Sequence, residues 1–70
     1  MEKKYVIGFI YESKEVFYKR IDGKEVEFVG IRSMAHHFDN EEDAQFTLSF
    51  LKSNGYDCWV ESFYVIKKIN

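Results

Sequence analysis

The sequence predicts an α+β fold: a three- to four-stranded antiparallel sheet with one helix packed on one face, in the order β-β-β-α-β. Three observations carry that expectation. Several stretches are dense in β-branched and aromatic residues, three before the middle of the chain and one after it. Asp22-Gly23, between the second and third, is a two-residue hairpin signal. The segment from Asp39 to Gly55 has the acidic start, helical apolar spacing and glycine stop of a capped helix. One helix laid across an antiparallel sheet is the simplest two-layer arrangement of such elements.

The elements follow in order. Tyr5-Val6-Ile7-Gly8-Phe9-Ile10-Tyr11 reads as the first strand, apolar on both faces, with Gly8 marking a bulge or a close approach of another element. The turn Glu12-Ser13-Lys14 leads into a second strand, Val16 to Ile21. Asp22-Gly23 predicts a type I′ turn and a third strand over about Glu25 to Ile31, where Val26, Phe28 and Gly30 alternate with Glu25, Glu27, Val29 and Ile31. Asp39 or Asn40 can cap the helix, and Glu41, Glu42 and Asp43 fill its first turn, where the positive end of the macrodipole favours carboxylates. Phe38, before the cap, is placed for a hydrophobic staple. Ala44, Thr47, Leu48 and Leu51 share one helical face, and Phe46 and Phe50 fall on nearly the opposite side. The helix ends near Ser53 or Asn54, with Gly55 as the left-handed stop. Tyr56 to Ile69 reads as a long final strand, with a bulge near Glu61-Ser62.

A chain of 70 residues is expected to form a single domain, residues 1–70, near the size below which a hydrophobic core no longer outweighs conformational entropy. Its composition, 46% hydrophobic and 19% aromatic, supplies a dense core and excludes a disordered chain. A net charge of −2 leaves no global field toward nucleic acid or anionic membrane. Cys58 is the single cysteine, so an intramolecular disulfide and the Cys/His sets of structural zinc are both excluded. The expected setting is cytoplasmic. The apolar run Tyr5 to Tyr11 is too short for a signal-peptide core or a membrane span, so no membrane association is expected.

Candidate chemistry is sparse. Adjacent His36 and His37 near Asp39 invite a metal reading, but neighbours in an extended segment point apart, and a polar connector is the better account. Cys58 next to Trp59 has no glycine-rich oxyanion loop or orienting acid at a recognisable spacing and reads as a small core residue. Glu41, Glu42 and Asp43, with Asp57, form an acidic group that would mimic a nucleic-acid backbone, although a dipole-matched helix start accounts for the first three. No catalytic residue, metal site or cofactor is therefore expected, and the chain does not read as an enzyme. If the first and last strands pair, Lys3 and Lys4 come close to Lys67 and Lys68, and an aromatic sheet face beside them would stack the bases of a single-stranded nucleic acid.

The apolar excess points elsewhere. One helix covers one face of one sheet, yet the first and last strands are apolar on both faces, and the helix carries Phe46 and Phe50 on its back. Burying two such side chains contributes roughly 1.5 to 3 kcal/mol each, and contiguous patches of this kind mark interfaces. Phe46, Phe50, Tyr5, Phe9, Tyr11, Trp59 and Phe63 are the expected protein-interface residues, in a homodimer or against another protein.

Ala35-His36-His37-Phe38-Asp39-Asn40-Glu41-Glu42-Asp43-Ala44, followed by a leucine-bearing helix and Asn54-Gly55-Tyr56-Asp57, resembles a segment of very small proteins from phages and prophages of Gram-positive bacteria, and Lys4-Tyr5-Val6-Ile7 stands where those chains open with a KYVI-like strand. The Lys24 to Arg32 stretch and the doubled histidine depart from that pattern. The resemblance implies a phage-borne accessory protein acting in a host cytoplasm, with no established activity and no functional residue to carry over. The expectation is a non-catalytic module that binds a host protein, as an inhibitor or modulator of a defence or gene-regulation component; the alternative is the nucleic-acid binder.

Overall fold

The computed structural model describes residues 1–67. It is an α+β fold in the order β-β-β-α-β: β1 (Glu2–Tyr11), β2 (Lys14–Asp22), β3 (Glu25–Val29), a 3₁₀ turn at Arg32–Met34, α1 (Glu41–Ser53) and β4 (Cys58–Val65). The four strands form one antiparallel sheet in the order β3-β2-β1-β4.

The first hairpin is tighter than expected and the second is shifted by one residue. Tyr11 pairs with Lys14, so Glu12 and Ser13 form a two-residue loop with φ of 51° and 67°. Asp22 pairs with Glu25, which makes the second loop Gly23-Lys24 rather than Asp22-Gly23. Gly23 takes the positive φ, 62°, at the first central position, and Lys24 does not, which is the pattern of a type II′ turn instead of type I′. The third strand stops at Val29, short of the expected Ile31, because the backbone bends at Gly30 and Ile31 and winds into the 3₁₀ turn.

From there the chain passes through the sheet. β1 and β2 are paired only from Gly8↔Phe17 to Tyr11↔Lys14; beyond Phe17 they separate, and residues 36–38 fill the gap. The His36 amide donates to the Tyr18 carbonyl of β2 at 2.9 Å, and Phe38 exchanges both backbone bonds with Tyr5 of β1, at 2.8 and 3.0 Å. The His36 amide and both backbone groups of Phe38 thus find strand partners, as polar groups entering a sheet require. Ala35, before the crossing, packs with Val6 and Phe17 on one face of the sheet; Phe38, after it, packs with Ile7 and Tyr18 on the other.

Two small cores result. On the front face α1 seats Ala44, Leu48 and Leu51 on Ile7, Tyr18 and Cys58. On the back face the connector covers Val6 and Phe17, which are 0% and 5% exposed. A second apolar sheet face therefore needs no second helix here, which the sequence reading did not anticipate. Asn40, not Asp39, is the cap: its Oδ1 accepts from the Asp43 amide at 2.8 Å, and Asp39 pairs with Lys4 instead. Phe38 therefore lies two residues before the cap, fixed by its bridge to Tyr5. At the other end Gly55, φ 93°, turns the chain so that the Tyr56 amide donates back to the Leu51 carbonyl.

The last strand is shorter than the expected Tyr56 to Ile69. Tyr56 is held by the helix end, strand pairing begins at Cys58 and it ends at Val65; Ile66 and Lys67 are not in the strand, and Ile69 lies outside the described residues. No bulge interrupts Glu61-Ser62, since β4 runs in unbroken register with β1 from Phe9↔Cys58 to Glu2↔Val65. The irregularity is in β2 instead, between Tyr18 and Arg20, where β2 leaves β1.

Candidate functional site: an apolar strip between helix and hairpin

The bulge in β2 decides which side chains meet the helix. Val16 and Tyr18 face the front with alternation of period two, which would turn Ile21 to the back. The shift between Tyr18 and Arg20 reverses the phase: Tyr18 pairs with Phe28, and Ile21 with Val26, so Ile21 lies on the front face with them. Because α1 seats on β1 and β4, the β2–β3 hairpin extends beside the helix rather than beneath it.

Phe46 and Phe50 lie on the flank of α1 that faces this hairpin. With Thr47 they border a depression of about 200 Å³ whose far wall is Ile21. Ile21 and Phe50 also border a larger groove of about 390 Å³ that runs to Val26, Asn54 and Tyr56, with Gly23 and Lys24 at its mouth. Val26 and Tyr56 continue into a third depression, about 330 Å³, reaching Phe9, Phe28 and Tyr11. The three share walls and form one strip. Its floor is an aromatic triad: Phe9 stacks on Phe28 at 5.0 Å between ring centres, and Tyr56 stands against each at 5.5 Å. Phe46 is 80% exposed, Phe50 48%, Tyr11 59% and Ile21 40%. The phenylalanines on the back of the helix are thus rim residues of an open apolar strip.

Of the expected interface residues, the strip brings together Phe46, Phe50, Phe9 and Tyr11. Tyr5 sits half-buried at the other end of β1, with the Lys3 ammonium 5.7 Å from its ring centre. Trp59 and Phe63 lie on the back face. The Trp59 indole lies across Gly8 and donates from Nε1 to Glu61 Oε2 at 2.7 Å, while the Phe63 and His37 rings meet edge to face, 5.0 Å between ring centres. Ile21, Val26, Phe28 and Tyr56 were missed as site residues. Alternation through Val26 and Phe28 is visible, and the one trace of the bulge that adds Ile21 is the adjacent polar pair Lys19-Arg20, which breaks the period of two.

The back face carries the polar network. Arg32 donates to Glu61 at 2.6 Å and lies over the Phe17 ring at 5.4 Å. A hydrogen bond between Glu15 and Glu61 pushes the Glu15 carboxyl above the usual carboxylate range and, with Trp59 and Arg32, holds that of Glu61 below it. At the foot of β1, Lys4 pairs with Asp39 and Glu2, and Lys67 with Glu2 at 2.7 Å. The antiparallel pairing of β1 and β4 does bring Lys3, Lys4 and Lys67 to one end of the sheet, but two of these charges are met by carboxylates; Lys68 lies outside the described residues. Cys58 is 3% exposed and burial raises its thiol pKa. Among the described residues no cluster of three His, Cys, Asp or Glu is placed to hold a metal, and no helix is long and apolar enough to cross a membrane. No protein-family model, curated protein or solved structure matches the chain.

Proposed function

We propose that the chain is a small, non-catalytic protein-binding module that docks a partner protein on the strip formed by Phe46 and Phe50 of α1 with Ile21 and Val26 of the β2–β3 hairpin. The exposure of Phe46 and Phe50 beside Ile21 carries this reading. Covering the uncovered parts of those two rings would contribute about 2 to 4 kcal/mol, and aromatic anchors beside a preformed groove are where interface energy concentrates. The phage resemblance of the Ala35–Ala44 segment makes a host protein of a defence or gene-regulation system the proposed target, in a bacterial cytoplasm, with the module acting as an inhibitor by occlusion. A homodimer is part of the proposal.

The test is a Phe46→Ser, Phe50→Ser double variant, compared with the wild type in affinity capture from a bacterial host lysate. The variant should keep its fold by circular dichroism and lose the captured protein. Equal capture by both would remove the strip as the docking site.

The alternative, single-stranded nucleic-acid binding, draws on Lys3, whose ammonium lies 5.7 and 6.0 Å from the ring centres of Tyr5 and Tyr64. Binding at that end would weaken steeply with salt; no binding of an oligonucleotide at low salt would dismiss it.

A further inference from the structure

We infer that a second copy of this chain pairs with the outer edge of β4, antiparallel and two-fold symmetric about Ser62, to give a continuous sheet in the order β3-β2-β1-β4-β4-β1-β2-β3. This rests on the homodimer part of the proposed function and names its interface; it does not depend on the apolar strip.

The two edges of the sheet differ in protection. β3 is five residues long, carries exposed Glu25 and Glu27, and faces a strand with a bulge. β4 is eight residues long in unbroken register, with no Lys, Arg or Pro between Cys58 and Val65. Its one charge, Glu61, is held on the back face by Trp59 and Arg32. Charge, proline, bulges and short length are the devices that keep an edge from recruiting another strand; β4 has no proline, bulge or short length, and its single charge is already engaged by Arg32 and Trp59.

The backbone fixes which residues offer hydrogen bonds. In an antiparallel ladder the amide and carbonyl of one residue point to the same side. Tyr5 directs both to Phe38, away from β4, so its partner Ser62 directs both outward. By alternation Cys58, Val60, Ser62 and Tyr64 present the free edge, and among the described residues no backbone bond outside the β1 pairing uses them. Placing Ser62 opposite Ser62 of the partner subunit pairs these outward groups with each other. The same register sets Val60 against the partner subunit's Tyr64 on the front face, an aromatic and β-branched pair of the kind that stabilises sheets. On the back it sets Trp59 against the partner's Val65 and Glu61 against the partner's Phe63, so no like charges face each other. Tyr64, 60% exposed in one copy, gains cover.

Light scattering and amide exchange on the full chain decide the matter. The wild type should be a dimer, with the amides of Val60, Ser62 and Tyr64 protected at high concentration and released on dilution. Ser62→Pro removes an outward donor, and Tyr64→Lys adds a guard charge; each should yield monomer, while the Phe46→Ser, Phe50→Ser variant stays dimeric. Should Ser62→Pro fail to fold, Ser62→Cys should form an intermolecular disulfide under mild oxidation and Ser49→Cys, on the helix, should not. A monomeric wild type, unprotected outer amides, or a dimer lost in the phenylalanine variant and kept in Tyr64→Lys would overturn the assignment. Failure of the docking strip alone would appear instead as a dimer that captures nothing.

Discussion

Gly8 is the position where the packing of the back face is most directly testable. A Cβ built there would lie 2.7 Å from Cε2, 2.8 Å from Cζ2 and 2.9 Å from Nε1 of Trp59. Carbon atoms pack at about 3.5 to 4.0 Å, so in Gly8→Ala the indole must lift by about 1 Å. That displacement forfeits roughly a quarter to a half of the contact energy on that side of the ring. It also stretches the 2.7 Å bond from Nε1 to Glu61, a hydrogen bond to a carboxylate. Overpacking of this kind costs about 1 to 3 kcal/mol, and the lower chain entropy of unfolded alanine returns about 0.4 to 1. Gly8→Ala should therefore be less stable by about 1 to 2 kcal/mol in urea unfolding followed by circular dichroism and by Trp59 fluorescence, with a shifted emission in the native state. In a Trp59→Ala background the clash is gone, and the same substitution should be neutral or stabilising, so the cycle should return the overpacking cost itself, about 1 to 3 kcal/mol. A Gly8→Ala protein as stable as the parent, with unaltered emission, would refute the seating of the indole on Gly8.

Leu51, 0% exposed, and Phe46, 80% exposed, sit on opposite sides of one helix and should differ sharply in their response to truncation. Leu51→Ala should lose about 2 to 5 kcal/mol in urea unfolding, and Phe46→Ala should stay within about 0.5 kcal/mol. Asn40→Ala removes the acceptor for the Asp43 amide and should lose about 1 kcal/mol, with Asn40→Asp retaining most of it. The Lys4 ammonium holds the Asp39 carboxyl below its ordinary value, so this pair stabilises above the unfolded carboxylate's pKa and ceases to do so as pH falls through the folded one. The urea midpoints of wild type and Asp39→Asn, apart at neutral pH, should therefore converge in acid; a constant separation would mean that Asp39 acts by some route other than its charge.

The elements of the fold were legible because local signals agreed with one another. The acidic run Glu41-Glu42-Asp43, the spacing of Ala44, Leu48 and Leu51 and the stop at Gly55 all specify one helix, and it forms within a residue of the expected bounds. What escaped was set by tertiary contact. The third strand ends at Val29 because the chain bends at Gly30 and Ile31 toward the crossing, where residues 36–38 fill the gap between β1 and β2, a contact between segments distant in sequence. The bulge in β2 follows from the same separation, and it moves Ile21 to the face of the strip. Val16 to Ile21 does not alternate strictly, and the adjacent Lys19-Arg20 pair lies at the bulge, but a pair of cations also fits a continuous exposed strand and does not by itself turn Ile21 toward Phe46 and Phe50. Hydrophobicity alone groups Trp59 and Phe63 with the interface aromatics, but Trp59 lies on Gly8 and Phe63 packs against the His37 ring.

The crossing at residues 36–38 also sets what remains exposed. By carrying the connector from the back face to the front, it closes the back face over Val6 and Phe17 and delivers the helix onto β1 and β4. A helix seated there cannot reach β3, and the uncovered side of the sheet is therefore the one that carries Ile21, Val26 and Phe28. The open strip lies over the β2–β3 side and the unguarded edge belongs to β4, at the other end of the strand order. Pairing through β4 leaves both strips free and places them toward the two ends of an eight-stranded sheet, so one dimer would hold two targets or grip one symmetric target twice, the second contact being intramolecular. The surplus of apolar side chains is thus divided: the connector covers Val6 and Phe17 on the back face, and under the proposed docking and pairing the strip and the edge would take different partners.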